Sequence, residues 1–98
     1  VDLSNLAALN PTIQKPIYVF AKQLSVGIEN NDVAQLQRCL GYLQDAQGYL
    51  FPLAQSPTGY FGGITRTAVQ RYQTMKGLSV TGIVDANTIS VLNSDFKA

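Results

Sequence analysis

The sequence predicts an all-α fold: a compact three-helix module with an internal turn-helix duplication, a long loop between the first and second helices, and an extended N-terminal arm. Three observations carry this. Apolar residues recur at helical spacing in "NDVAQLQRCLGYL", residues 31–43. A glycine-started turn runs into a second amphipathic stretch in "GYFGGITRTAVQRYQ", residues 59–73. A shorter form of the same unit follows in "GIVDANTISVL", residues 82–92. With 98 residues, the chain is long enough for one modest core.

Residues 1–29 read as a linker or docked arm. Pro11 and Pro16 bound a polar stretch that no helix crosses without a kink. In "IYVFAKQLSVGI", residues 17–28, β-type residues lead in, and Phe20 and Leu24 are spaced to plug a core from an extended segment. The domain proper is expected over 30–95, with 96–98 as a tail. In the first helix Val33, Leu36, Leu40 and Leu43 form one apolar stripe. Asp32 is the expected N-cap, with Gln35 completing a capping box. Gly41 either frays the helix end or permits close packing.

The segment "QDAQGYLFPLAQSPT", residues 44–58, is an elaborated loop. Its Tyr49, Leu50, Phe51 and Leu53 either fold back on the core or present a contact surface. The second helix buries Ala68, Val69, Tyr72 and Met75 and turns Arg66, Thr67, Gln70, Arg71 and Thr74 outward. Gly77 followed by Leu78 fits a left-handed stop with a hydrophobic seal. Asp85 is the expected N-cap of a third helix ending near Asn93.

The two turn-helix units align without gaps, Gly59 with Gly82, Tyr60 with Ile83, Phe61 with Val84, Gly62 with Asp85, Thr65 with Thr88. The apolar pair after each glycine is expected to anchor the chain, and each threonine to bond back toward the cap. Gln37 and Gln73 hold equivalent helical places and are expected to satisfy buried loop backbone.

Composition narrows the chemistry. A net charge of +1 with scattered basic residues gives no polyanion-binding field, and no basic stripe marks a DNA-reading helix. No apolar run of about 18 residues is present to insert in a membrane. There is no histidine, and the six acids form no close pair in sequence, so neither a metal centre nor a catalytic acid-base pair is indicated, and no cofactor is expected. The single cysteine, Cys39, reads as a small core hydrophobe. Beginning at Val1, the chain is expected to be a processed product or an excised domain, in which a removed export signal would not be visible.

The motifs "DVAQLQRCLGYL" and "GYFGGITRTAVQRYQTMKGLSVTGIVDANTISVL" together resemble the type-1 family of peptidoglycan-binding domains, small three-helix modules attached to exported cell-wall hydrolases and amidases. The resemblance spans residues 31–93. It rests on Asp32, Val33, Leu36 and Gln37, then on Gly59, Phe61, Gly62, Thr65, Ala68, Val69, Tyr72 and Gln73, then on Gly77, Leu78, Gly82 and Thr88. Thr58 and Thr81 stand where the family commonly has Asp, Gly63 where it often has Pro, and Asp85 where Gly is usual.

The resemblance implies noncatalytic binding to cell-wall peptidoglycan by an exported, monomeric module that targets an attached or partner wall hydrolase. A shallow site for sugars and peptide stems needs an aromatic face, amide partners and a guanidinium. The candidate ligand-binding residues are Tyr60, Arg66, Gln70 and Tyr49. For Tyr60 the competing outcome is packing under the loop, and for Arg66 plain solvation. A second function remains open: protein docking through the apolar loop from Tyr49 to Leu53.

Overall fold

In the computed structural model, which describes residues 15–52 and 57–98, helix α1 spans Asn31–Tyr42. Its cap is Asn30 rather than Asp32: the Asn30 side chain accepts from the Val33 N–H at 3.0 Å. The displacement has a tertiary cause. Asn30 donates its own N–H to the Gly59 carbonyl at 3.0 Å, which holds it extended and starts the helix one residue later. Asp32 falls in the first turn, where it accepts from the Tyr18 hydroxyl and faces the positive end of the helix dipole. Gln35 consequently forms no capping box and pairs with Asn31 at 3.4 Å. Gly41 is buried, and the helix continues past it to Tyr42.

The following loop corrects the purely helical expectation. Strands β1 (Gln44–Asp45) and β2 (Gly48–Tyr49) form a small antiparallel hairpin, pairing Gln44 with Tyr49 and Asp45 with Gly48. Asp45 closes the turn by accepting from the Gln47 N–H at 2.8 Å, a local bond that favours a turn over continued helix. The chain then folds back on the core. Leu50 donates to the Leu43 carbonyl at 3.0 Å and Phe51 to the Leu40 carbonyl at 3.2 Å, and both side chains are buried. Leu53 lies outside the described residues.

Helix α2 spans Gly63–Met75 and α3 spans Ala86–Asp95. The stop of α2 is as the sequence predicts: Gly77 has φ +71°, its N–H reaches the Thr74 carbonyl at 3.2 Å, and Leu78 reaches Gln73 at 2.8 Å. The buried stripe of α2 differs at its end, running through Thr65, Ala68, Val69, Tyr72 and Gln73 while Met75 is exposed. Gln73, four residues after Val69, takes the interior position. Asp85 caps α3, accepting from the Thr88 N–H at 3.0 Å. That helix runs two residues beyond Asn93.

Residues 15–29 pack along this frame as extended chain. Phe20 and Leu24 enter the core. Asn93 clamps Phe20 in both directions, accepting from its N–H at 2.7 Å and donating to its carbonyl at 2.9 Å. Leu24 bridges Val84, and Glu29 bridges Tyr60. The part of the expected arm before residue 15 lies outside the described residues. Phe96, placed by sequence in the tail, is fully buried and meets Tyr42 edge to face at 6.3 Å.

Cys39 sits in this core, where burial pushes its thiol up to about 12 and the nearby Arg38 only partly opposes the shift. Near pH 8, about the range where an ordinary thiol ionises, the folded chain should resist a thiol-disulfide reagent and react fully in denaturant. Rapid native labelling would show that the packing around α1 is wrong.

Candidate functional site

The candidate surface rests on two copies of one buried device. In the first unit Gln37 Oε1 accepts from the N–H groups of Thr58 and Gly59 at 2.8 and 3.0 Å, while Nε2 donates to the Tyr60 carbonyl at 2.9 Å and the Thr65 hydroxyl at 3.0 Å. In the second, Gln73 Oε1 accepts from Thr81 and Gly82 at 3.0 Å each, and Nε2 donates to the Ile83 carbonyl at 2.9 Å and the Thr88 hydroxyl at 3.0 Å. Every bond of one glutamine has its counterpart in the other. Both glutamines are essentially inaccessible to solvent, so an amide, able to donate and accept at once, satisfies the inner side of each turn.

Thr58 and Thr81 complete the turns. Their hydroxyls accept from the N–H groups of Tyr60 and Ile83 at 3.2 and 3.1 Å. Gly59 and Gly82 have φ +79° and +74°, a conformation costly to any residue with a side chain. The turns thereby fix what faces outward. Of each apolar pair after the glycine, only the second member is interior: Phe61 and Val84 are buried, whereas Tyr60 and Ile83 are exposed at 47% and 41%. The expectation that both members anchor the chain fails at the first, because successive residues of an extended turn point to opposite sides.

Beside these turns a trough follows one face of α2. Near its N-terminus a depression of about 190 Å3 is lined by Tyr60, Gly62 and Ile64 among others. A second, of about 430 Å3, lies between Leu50, Pro52, Ile64 and Thr67. A third, of about 480 Å3, opens between the hairpin and the last turns of α2, lined by Gln44, Gln47, Thr67, Gln70 and Met75. Gly63 and Ile64 border both of the first two, and Thr67 and Arg71 border both of the last two. The three are neighbours in a row along α2.

Arg71 sets the width of the third depression. Its guanidinium holds Asp45 in a two-pronged ion pair, with Nε to Oδ2 at 2.9 Å, and also donates to the carbonyls of Gly48 at 3.1 Å and Tyr49 at 3.2 Å. One side chain of α2 thus fastens both strands of the hairpin. The Arg71 guanidinium beside Asp45 holds that carboxyl below the usual carboxylate range.

Residues 29–92 match the family described as putative peptidoglycan binding domain. The chain belongs to this family. No curated protein matches it. Within this peptidoglycan-binding-type domain, the threonines at 58 and 81 supply the side-chain acceptor of each paired turn.

The four sequence-derived candidates do not fall in one pocket. Arg66 and Gln70 lie side by side over Gly82, where an added Cβ would come within 2.9 Å of Arg66 Nε and 3.4 Å of Gln70 Cγ. Gln70 also lines the third depression. Tyr60 lines the first, its ring lying across Gly62, where an added Cβ would meet it at 3.2 Å. Tyr49 is 37% exposed on β2 and binds Arg71 through its carbonyl. Sequence reasoning missed Asp45, Arg71, Ile64 and Thr67 as builders of this surface. The "DAQG" of residues 45–48 carries the turn signal that marks the hairpin, but nothing local points from it to Arg71.

Two outcomes follow. Gln37→Leu should destabilise the chain by about 3 kcal/mol, since it strands the backbone donors of Thr58 and Gly59 and the Thr65 hydroxyl, and Gln73→Leu should cost a similar amount; urea denaturation measures both. The Asp45 contribution is present above the ordinary carboxylate range and is lost as pH falls through its lowered folded value. Protection of the amides at residues 44–50, measured relative to their intrinsic exchange rates at each pH, should therefore fall in acid, and Arg71→Met should give the same loss of protection at neutral pH.

Proposed function

We propose that this chain binds bacterial cell-wall peptidoglycan without catalysing its turnover, and that it concentrates an attached or partner wall enzyme on that polymer. The observation that carries the reading is membership of the family over residues 29–92, with both paired turns intact. The wall lies outside the cytoplasmic membrane, so the module works as an exported one. Affinity of a single shallow site is modest and gains its use through linkage to another domain.

The carboxylates support a noncatalytic role. Asp32 accepts from Tyr18, Asp45 is tied to Arg71, Asp85 caps α3, and Asp95 accepts from the Tyr72 hydroxyl at 2.6 Å while pairing with Lys76 at 3.0 Å. Each of these is engaged in holding the fold, which leaves it poorly placed as a general acid or base. The ion pairs of Arg71 and Lys76 likewise spend two of the basic residues a nucleic-acid reader would need along α2.

Tyr60, with Arg66 and Gln70 across the helix and Tyr49 on the hairpin, form the ligand-binding set of this proposal. Exposure of the Tyr60 ring beside the trough favours sugar stacking over packing beneath the loop. Burial of Leu50 and Phe51 removes two of the apolar groups on which docking of a protein partner at the loop depends.

Cosedimentation of the purified chain with peptidoglycan sacculi, beside a cellulose control, tests the reading. The chain should pellet with sacculi alone, and Tyr60→Ala and Arg66→Ala should each reduce the bound fraction. Pelleting no greater than with cellulose would overturn wall binding.

A further inference from the structure

The groove between the hairpin and the C-terminal half of α2 has a lining unlike that of the Tyr60 end. Three glutamines line it, Gln44 on β1, Gln47 in the hairpin turn and Gln70 on α2. These differ from the buried glutamines of the paired turns. Among the described residues Gln70 contributes only backbone to the local hydrogen bonds, its carbonyl accepting from Thr74 Oγ1 at 3.0 Å. Gln47 likewise engages Asp45 only through its backbone N–H. The three amides therefore have donor and acceptor capacity to offer a ligand.

The charge in the groove is cancelled. Its two ionic side chains, Arg71 and Asp45, are locked to one another, and two further Arg71 donors go to the carbonyls of Gly48 and Tyr49, four of its five in all. A carboxylate or phosphate entering here would be desolvated without a free cation to meet it. Arg66, the exposed guanidinium of α2, lies across Gly82 and does not line the groove. Met75, 37% exposed, lines the same groove and adds a flexible apolar side chain to it. The cavity volume of about 480 Å3 lies within the usual range for small-ligand sites.

We infer that this groove is a subsite for a neutral N-acetylated sugar, in which the glutamine amides pair with the acetamido N–H and C=O and Met75 covers the acetyl methyl. The inference rests on the wall-binding reading and narrows it: the groove takes the glycan strand and leaves the charged peptide stem outside. Arg71 and Asp45 act as positioning residues, holding the hairpin wall at the right distance from α2 without touching the sugar.

The test is an NMR titration of the isotope-labelled full chain with the N-acetylated chitin trimer, with cellotriose, which lacks acetamido groups, and with a free stem tetrapeptide. The chitin trimer should shift the side-chain amides of Gln44, Gln47 and Gln70 and the Met75 methyl, and neither other probe should. Gln47→Ala and Gln70→Leu should each weaken the trimer by roughly tenfold, the loss expected for an unreplaced hydrogen bond. Cellotriose or the tetrapeptide moving the same resonances as strongly would overturn the assignment, as would a trimer that leaves them unmoved. Retention on sacculi with a silent groove sinks this inference and leaves wall binding standing. Groove shifts without retention on sacculi sink wall binding and leave a site for acetamido sugars.

Discussion

A buried primary amide is the constraint on which the rest of the molecule depends. Gln37 and Gln73 each collect two backbone N–H groups on one oxygen and hand two hydrogens to a carbonyl and a hydroxyl. A carboxylate would lack the donors and a lysine the acceptors. The bonds reach from a helix to the turn that starts the next helix, so α1 fixes where α2 begins and α2 fixes where α3 begins. Helices of 12, 13 and 10 residues are marginal by themselves. Linked in this way, each is stabilised by the one before it.

Because the same amide geometry is used twice, the two units share an interior and are free to differ outside. The small Ala34 side chain lies 3.9 Å from a Cβ built at Gly59, whereas at Gly82 the neighbours are the longer Arg66 and Gln70. Tyr60 and Ile83 occupy equivalent exposed positions with different chemistry. The repetition is thus a repetition of support, and the chemistry of this surface differs where the copies diverge. This also explains why a chain with so little apparent chemistry contains such a specific buried polar network: the polar groups specify the turn geometry and the outer residues inherit it.

Much of this was legible in the sequence because it is encoded within a few residues. The stripe of α1, the left-handed stop at Gly77, the Asp85 cap and the alignment of the turns all rest on local spacing. What escaped depends on contacts distant in sequence. Asn30 caps α1 in place of Asp32 because Gly59 holds its backbone. Met75 lies outside because Gln73, whose role with buried loop backbone the paired helical places do indicate, takes the interior position next to Thr81 and Thr88, and apolar periodicity alone favours the methionine. Phe96 enters the core because Tyr18 and Tyr42 meet it, contacts that a residue next to the chain end does not advertise.

The hairpin shows how a long-range pair converts a loop into a wall. Two strands of two residues have too few ladder bonds to persist in water alone. Arg71 supplies the missing constraint, binding the Asp45 carboxylate and two strand carbonyls from a neighbouring helix, while Leu50 and Phe51 anchor the following chain in the core. The guanidinium is suited to this because its planar fork meets a carboxylate and carbonyls at once, which a lysine ammonium does less specifically. Fastening the wall also neutralises it, and the same ion pair that shapes the groove removes free charge from its lining. The shape of the groove and the pairing of its charges are therefore consequences of one interaction.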